Sequence, residues 1–275
     1  MVADPLAAVG TWPVTAAVAV VTTEGLAAGT GDLDRSRPWA SVTKLLSALA
    51  VLVAVEEGTL ALDWPAGPAG STVAHLLAHA SGMASDSPRV LAPPATRRIY
   101  SNAGFELLGQ TLEDAAEMPF ADYLRAATLE PLGLRATGFD GSPAAGAHGP
   151  LTDLARLGAE LLAPSLLAPE TVALATSVAF PDLDGVLPGY GRQGPNDWGL
   201  GFEVRGRKDP HWTGRRNSPQ TFGHFGRSGS FLWVDPVAGV ACAELADSPW
   251  GPWAAQAWPP LSDAVLAAHG RPHPS

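Results

Sequence analysis

Cysteine is nearly missing from this chain: 275 residues contain one, Cys242. A lone cysteine excludes a disulfide framework, and its setting in Val240-Ala241-Cys242-Ala243 reads as a buried strand in which the thiol serves as a small hydrophobe. Lysine is almost as scarce, with only Lys44 and Lys208 among 17 basic residues. Charged residues make up 16%, and they sum to −10 without forming runs. That argues against a nucleic-acid partner and against anionic membrane surfaces, and leaves a small molecule as the expected partner. No apolar stretch reaches the ~20 residues that cross a bilayer. Met1-Val2-Ala3-Asp4-Pro5 lacks the basic region of a secretory signal, so a soluble, cytoplasmic setting is expected. His75 and His79 are four apart on a helical segment, the spacing of two zinc ligands on one face. No Glu follows His75 and no third ligand is evident, so packing or capping roles are expected, with no metal and no cofactor. The oligomeric state stays open.

What is present is apolar bulk. Hydrophobic residues make up 46% of the chain, enough for a large core in one big domain or two interleaved ones. Pro13 to Val21 and Leu26 to Thr30 read as a hairpin around Thr23-Glu24-Gly25, and a helix runs from Ser41 to Gly58. From Leu60 to about Asp197 helical periods dominate: 71–79, 103–117, 120–129, 151–162 and 169–176. Strand patterns return at 198–205, 221–225, 230–234 and 239–245, and a closing helix, Trp253 to His269, should break early at Pro259-Pro260. Strands at both ends imply an α/β (α+β) fold: one antiparallel sheet built from both termini and covered by the first and last helices. The expected lobes are 1–59 with 195–275, and an inserted all-helical lobe over 60–194. The cleft between them is the expected ligand site.

Within this frame the first turn of the buried helix, Ser41-Val42-Thr43-Lys44, is chemically loaded. A hydroxyl and an amine three residues apart on a helix share one face, so the amine can take the hydroxyl's proton. Burial and the positive helix end both disfavour an ammonium, so Lys44 should be a base near neutral pH. On the tetrad alone, an N-capping Ser41 and a Lys44 that snorkels outward account for the pattern as well.

Two further patches bear on the choice. Tyr100 stands just outside a helix whose cap is supplied by Ser101 or Asn102, so it is free to enter a cleft, where a neighbouring ammonium would stabilise its phenolate. Read alone, it fits a core or rim tyrosine. Phe222-Gly223-His224-Phe225-Gly226-Arg227-Ser228-Gly229-Ser230 packs three glycines around a histidine in strand pattern, which suits either close approach of a ligand or a tight hairpin.

Together the three patches resemble the serine hydrolases of the β-lactamase and penicillin-binding protein superfamily, in the branch of class C β-lactamases, D-alanyl carboxypeptidases and family VIII esterases. Ser41-Val42-Thr43-Lys44 matches SxxK, Tyr100-Ser101-Asn102 matches YxN, and His224-Phe225-Gly226 matches KTG in its HxG form. Leu76 to Gly82 is similar to the family's LLxHxSGL and Glu130-Pro131-Leu132-Gly133-Leu134 to its EPLGM segment, so the likeness runs from about Val14 to Ala267. The resemblance implies that Ser41 is acylated, that Lys44 takes its proton and that Tyr100 shuttles the proton to the leaving group and later activates water. It further implies that Asn102 orients Lys44 and the acyl side, that His224 helps hold the tyrosine reactive, and that the backbone N–H groups of Ser41 and Arg227 form the oxyanion hole. Phe225 departs from the pattern, because KTG places there a hydroxyl that contacts substrate carboxylates. Arg227 can supply a charge instead, if it faces the cleft. The leading expectation is a carboxylesterase on small esters. Hydrolysis of β-lactams or D-aminoacyl amides is the alternative, and a non-catalytic penicillin-binding-like sensor is the second.

Overall fold

The computed structural model describes residues 4–271. β1 (Ala16–Thr22) turns into β2 (Gly25–Thr30), and the chain passes through β3 (Arg37–Pro38) and a 3-10 turn at Ala40–Val42 into α1 (Thr43–Glu56). Then come α2 (Val73–Leu77), α3 (Asn102–Ala116) and α4 (Phe120–Leu124), the last continuing as a π turn over Arg125–Leu129. After β4 (Gly138–Phe139) and β5 (Ala147–Gly149) follow α5 (Leu151–Leu162), α6 (Pro169–Thr176), β6 (Gly185–Leu187) and β7 (Gly191–Gln193). β8 (Glu203–Val204), β9 (Phe222–Gly226), β10 (Ser230–Asp235), β11 (Val240–Ala246) and α7 (Pro252–His269) complete it.

Both termini build the main sheet, in the order β2-β1-β11-β10-β9-β8 with antiparallel neighbours. Its central strands are apolar on both faces, as a sheet covered on both sides requires. Ala17, Ala19, Val21, Leu232, Val234, Ala241, Ala243 and Leu245 join one core with α1 and α5. Val18, Val20, Phe231, Trp233, Val240 and Cys242 join the other with Trp258, Leu261 and Val265 of α7. Small residues let α5 come close: a Cβ on Gly158 would lie 3.0 Å from Leu232 Cδ1 and 3.5 Å from Ala241 Cβ. The sheet is thus covered by α5 as well as by the first and last helices. Helices dominate the stretch from Leu60 to Gly194, yet two small sheets also form with it, β3-β5-β4 and β6-β7. No helix among the described residues is long and apolar enough to cross a membrane.

Several expected element bounds change, those of α7 and of the strand near Gly201 for tertiary reasons. Pro259 and Pro260 lie inside α7 without ending it. The carbonyls their rings leave unpaired, four residues earlier, belong to exposed Ala255 and Gln256 and can bond water, while buried Trp258 and Leu261 hold the helix on the sheet. The strand expected over 198–205 shrinks to Glu203–Val204 because Gly201, at φ +91°, tucks against α1, where a Cβ would meet Ala48 Cβ. The helix expected over 71–79 is confined to Val73–Leu77, and His79 just beyond it takes a left-handed φ of 53°.

Glu244 is an anomaly inside β11. It is fully buried opposite Val18 and Phe231, and neither oxygen has a hydrogen-bond partner of good geometry. Burial raises its pKa well above the ordinary carboxylate value, and the Trp258 indole only partly offsets this. A folded-state pKa raised in this way makes the native state bind more protons than the unfolded chain, so stability falls as pH rises above the unfolded value. Glu244→Gln cannot ionise. Its melting temperature relative to wild type should therefore climb by several degrees between about pH 4.5 and pH 8, with little difference at the acid end. A difference independent of pH in thermal melts would contradict the protonated assignment.

Candidate active site

Ser41 sits in the 3-10 turn before α1, and the helix is capped without a side-chain bond from it. Its hydroxyl is therefore free for chemistry, which removes the N-cap reading. Two serines at the β9–β10 turn pin it: Ser230 Oγ donates to Trp39 O at 2.8 Å and Ser228 Oγ to Pro38 O at 2.8 Å. Ala40, between Trp39 and Ser41, is left-handed, at φ 45°, a costly backbone for alanine that these bonds hold next to the nucleophile. Gly226 makes the docking possible, since a Cβ there would meet Ser230 Oγ, Trp39 O and Ala40 Cβ. The end of β9 is brought in this way against the Ser41 turn.

Lys44 is fully buried on the first turn of α1 and does not snorkel. Its Nζ donates to Asn102 Oδ1 at 2.8 Å and to Ala144 O at 2.8 Å, and lies 3.4 Å from Ser41 Oγ. Burial lowers its pKa to about 7, with Glu106 and Asp86 opposing the shift. A neutral amine has two N–H groups and one lone pair. With the two N–H groups spent on Asn102 and Ala144, the lone pair is left for the Ser41 proton.

Ser101 caps α3, its Oγ accepting from Gly104 N at 2.9 Å and donating to Ala84 O at 2.7 Å. Because Ser101 takes the cap, Tyr100 and Asn102 on either side are free to reach Ser41 and Lys44 respectively. Tyr100 Oη donates to Ser41 Oγ at 2.9 Å. The expected phenolate is not favoured: burial pushes Tyr100 well above the ordinary tyrosine value, and the Ser41 bond offsets this only in part. Burial thus favours Tyr100 as a phenol and brings Lys44 to the neutral amine near pH 7.

His224 corrects a second expectation. Its Nδ1 donates to Phe225 O at 2.7 Å, and burial together with the nearby Lys44 lowers its pKa to about 3. A neutral imidazole lends no charge to a phenolate. Its ring contacts Tyr100 at 5.9 Å between centroids, so it packs the tyrosine and does not polarise it through charge. His75 and His79 have the packing roles expected of them. His75 bonds Thr72 Oγ1 at 2.9 Å and stacks on Phe180, while His79 Nδ1 accepts from Ser101 N at 3.2 Å with its ring 4.6 Å from that of Tyr100. Among the described residues no group of three or more His, Cys, Asp or Glu side chains is placed to hold a metal ion.

Ser41, Tyr100 and Asn102 open into a cleft of about 440 Å³ whose other side carries His224, Phe225, Arg227 and Trp250. Arg227 is exposed and faces this cleft. Sequence reasoning missed three groups that shape it. Arg98 is buried, and four carbonyls hold its guanidinium: Ala78, Ala179, Phe180 and Asn196. It fixes the irregular segment that presents Tyr100. Glu203, at the cleft floor, accepts from Trp212 Nε1 at 2.9 Å and pairs with His211 and Lys208. Burial opposes its charge, but His211 and Lys208 prevail and hold the carboxyl well below its usual range. Scarce Lys208 was the only signal for this network. Asp86, on the short loop before Tyr100, accepts from Asn102 Nδ2 at 2.8 Å.

A serine beside a buried lysine and a tyrosine, packed against a sheet built from both ends of the chain, defines a serine hydrolase. The chain belongs to the Beta-lactamase family, whose sequence model matches residues 14–261. It is 52% identical to a β-lactamase from Mycobacterium bovis, with a TM-score of 0.96 over 98% of this chain and 100% of that one. The fold also matches a mutant simvastatin synthase, LovD6, from Aspergillus terreus at 20% identity and a TM-score of 0.80, over 97% of this chain and 96% of that one. EstCE1, described as a hydrolase with promiscuous acyltransferase activity, is 19% identical with a TM-score of 0.77, over 94% and 95% of the two chains. None of the curated proteins matches.

Proposed function

We propose that the protein is a carboxylesterase that cleaves small neutral esters through an acyl-enzyme on Ser41. The observation that carries this reading is the wall around Phe225. Its ring meets Tyr190 at 5.8 Å, Trp212 at 5.7 Å and Trp250 at 6.0 Å between centroids, so the position where related sites place a carboxylate-binding hydroxyl is apolar here. His224 beside it is neutral and adds no charge. In the first step Ser41 Oγ attacks the ester carbonyl while its proton moves to Lys44 Nζ. Tyr100 then passes a proton to the departing alkoxide, and water enters by the reverse route to free the acid. The N–H groups of Ser41 and Arg227 are assigned to the oxyanion, where each donor is worth on the order of 10²–10³ in rate.

β-Lactam hydrolysis is the second reading, favoured by Arg227 in the cleft and by the relative from Mycobacterium bovis. An arginine fork suits a carboxylate, but a carboxylate placed against the Phe225 ring is penalised by several kcal/mol. Comparing kcat/KM for a butyrate ester and for nitrocefin, in wild type and in Phe225→Thr, separates the readings. The ester should win by at least about 10²-fold in wild type, and the variant should gain on nitrocefin alone. Nitrocefin turnover equal to the ester's would refute the preference.

A further inference from the structure

Asn102 has an amide whose two ends have nearly the same shape but opposite hydrogen-bonding character. In one orientation Oδ1 accepts from Lys44 and the Lys44 lone pair stays available to Ser41. In the flipped orientation Nδ2 would donate into that lone pair and occupy the place of the Ser41 proton. Something must tell the two ends apart, and Asp86 is built to do so. Its Oδ1 accepts from Asn102 Nδ2 at 2.8 Å, and an ionised carboxylate can only accept. The loop that carries it is pinned to the start of α3: Ser101 Oγ donates to Ala84 O at 2.7 Å and Ala103 N to Ser85 O at 3.0 Å. The Asn102 bond, with Ser85, holds the Asp86 carboxyl below its ordinary value, so it remains an acceptor.

We propose that Asp86 is a positioning residue for proton transfer, fixing the Asn102 amide so that Oδ1 faces Lys44 and the amine's lone pair faces Ser41. The Asp86 side chain is exposed; its hydrogen bond reaches Lys44 only through Asn102, while its charge also acts on Lys44 through space. The proposal needs the serine hydrolase centre but not the ester reading.

Because Lys44 titrates near neutral pH, charge and acceptor effects must be read separately. Burial lowers its pKa and the carboxylates of Asp86 and Glu106 raise it, while His79 and His224 beside it are neutral and Tyr100 is a phenol. Removing the Asp86 charge should move the acid limb to lower pH. Removing its acceptor oxygen should lower the plateau above that limb.

The test is the second-order rate of Ser41 labelling by a fluorophosphonate, followed by intact mass from pH 5 to 10, which needs no knowledge of the natural substrate. Asp86→Ala should lower the plateau about fivefold, the size a charge-assisted but exposed hydrogen bond commands. Asp86→Asn keeps an acceptor oxygen and should recover most of that loss, and both variants should shift the acid limb downward. In an Asn102→Ala background, Asp86→Ala should add less than twofold. Three outcomes overturn the proposal: a plateau for Asp86→Ala within twofold of wild type, Asp86→Asn falling as far as Asp86→Ala, or an undiminished loss in the Asn102→Ala background. Failure of the ester preference would appear in the ester and nitrocefin comparison and leave this rate series unaffected.

Discussion

Replacing Lys44 by alanine should lower acylation of Ser41 by on the order of 10³–10⁴-fold, and Ser41→Ala should abolish it. The large effect follows from the absence of a second base: Tyr100 is held as a phenol by burial, and burial lowers the His224 pKa to about 3, too weak a base for the Ser41 proton. The same geometry predicts the pH profile of wild type. Lys44 acts in its neutral form, so the rate should rise with pH through about 7 and then level. Free lysine would place that limb more than three units higher. A limb near pH 10 would mean that water reaches Lys44 and that burial does not tune it. Acylation by Lys44→Ala within tenfold of wild type would remove the amine from the mechanism altogether.

The sequence revealed those parts of the site that are local. Ser41 and Lys44 lie three residues apart near one helix start, and Ser101 caps α3 so that its neighbours are freed; both can be read along the chain. The sheet was legible for a similar reason, since apolar runs near both ends of the chain, such as Ala16 to Val21 and Val240 to Ala243, had to be covered on two faces. What stayed hidden depends on contacts between distant segments. The four carbonyls around Arg98 come from three separate stretches of chain. Gly201 breaks an apparent strand only because Ala48 lies beneath it. Protonation was legible for one partner and not for the other. Burial at a helix start marked Lys44 as a base near neutral pH, and burial does lower its pKa to about 7, whereas the phenolate suggested for Tyr100 is disfavoured because burial of the ring keeps it a phenol. Asp86 was invisible for the opposite reason, because an exposed acid in a loop is unremarkable until its partner is known.

With Tyr100 protonated, the role proposed for it is to give a proton, and Tyr100→Phe should expose that role through the leaving group. The variant keeps the ring that packs against His79 and His224 and loses only the hydroxyl that bonds Ser41 Oγ at 2.9 Å. For alkyl esters the departing alkoxide needs a proton, and kcat should fall by about 10²–10³-fold. A nitrophenolate leaves without one, so acylation by nitrophenyl esters should fall much less. Lys44→Ala should slow both substrates alike, since it removes activation of Ser41 rather than protonation of the leaving group. Combining the two changes should cost little more than Lys44→Ala alone, because the proton that Tyr100 relays is the one Lys44 receives. The alkaline side gives an independent check. A phenol pushed well above the ordinary tyrosine value stays protonated, so wild type should show no falling limb below about pH 10. A falling limb near pH 9 that disappears in Tyr100→Phe, or equal losses on alkyl and nitrophenyl esters, would show that Tyr100 does not act as the proton donor to the leaving group.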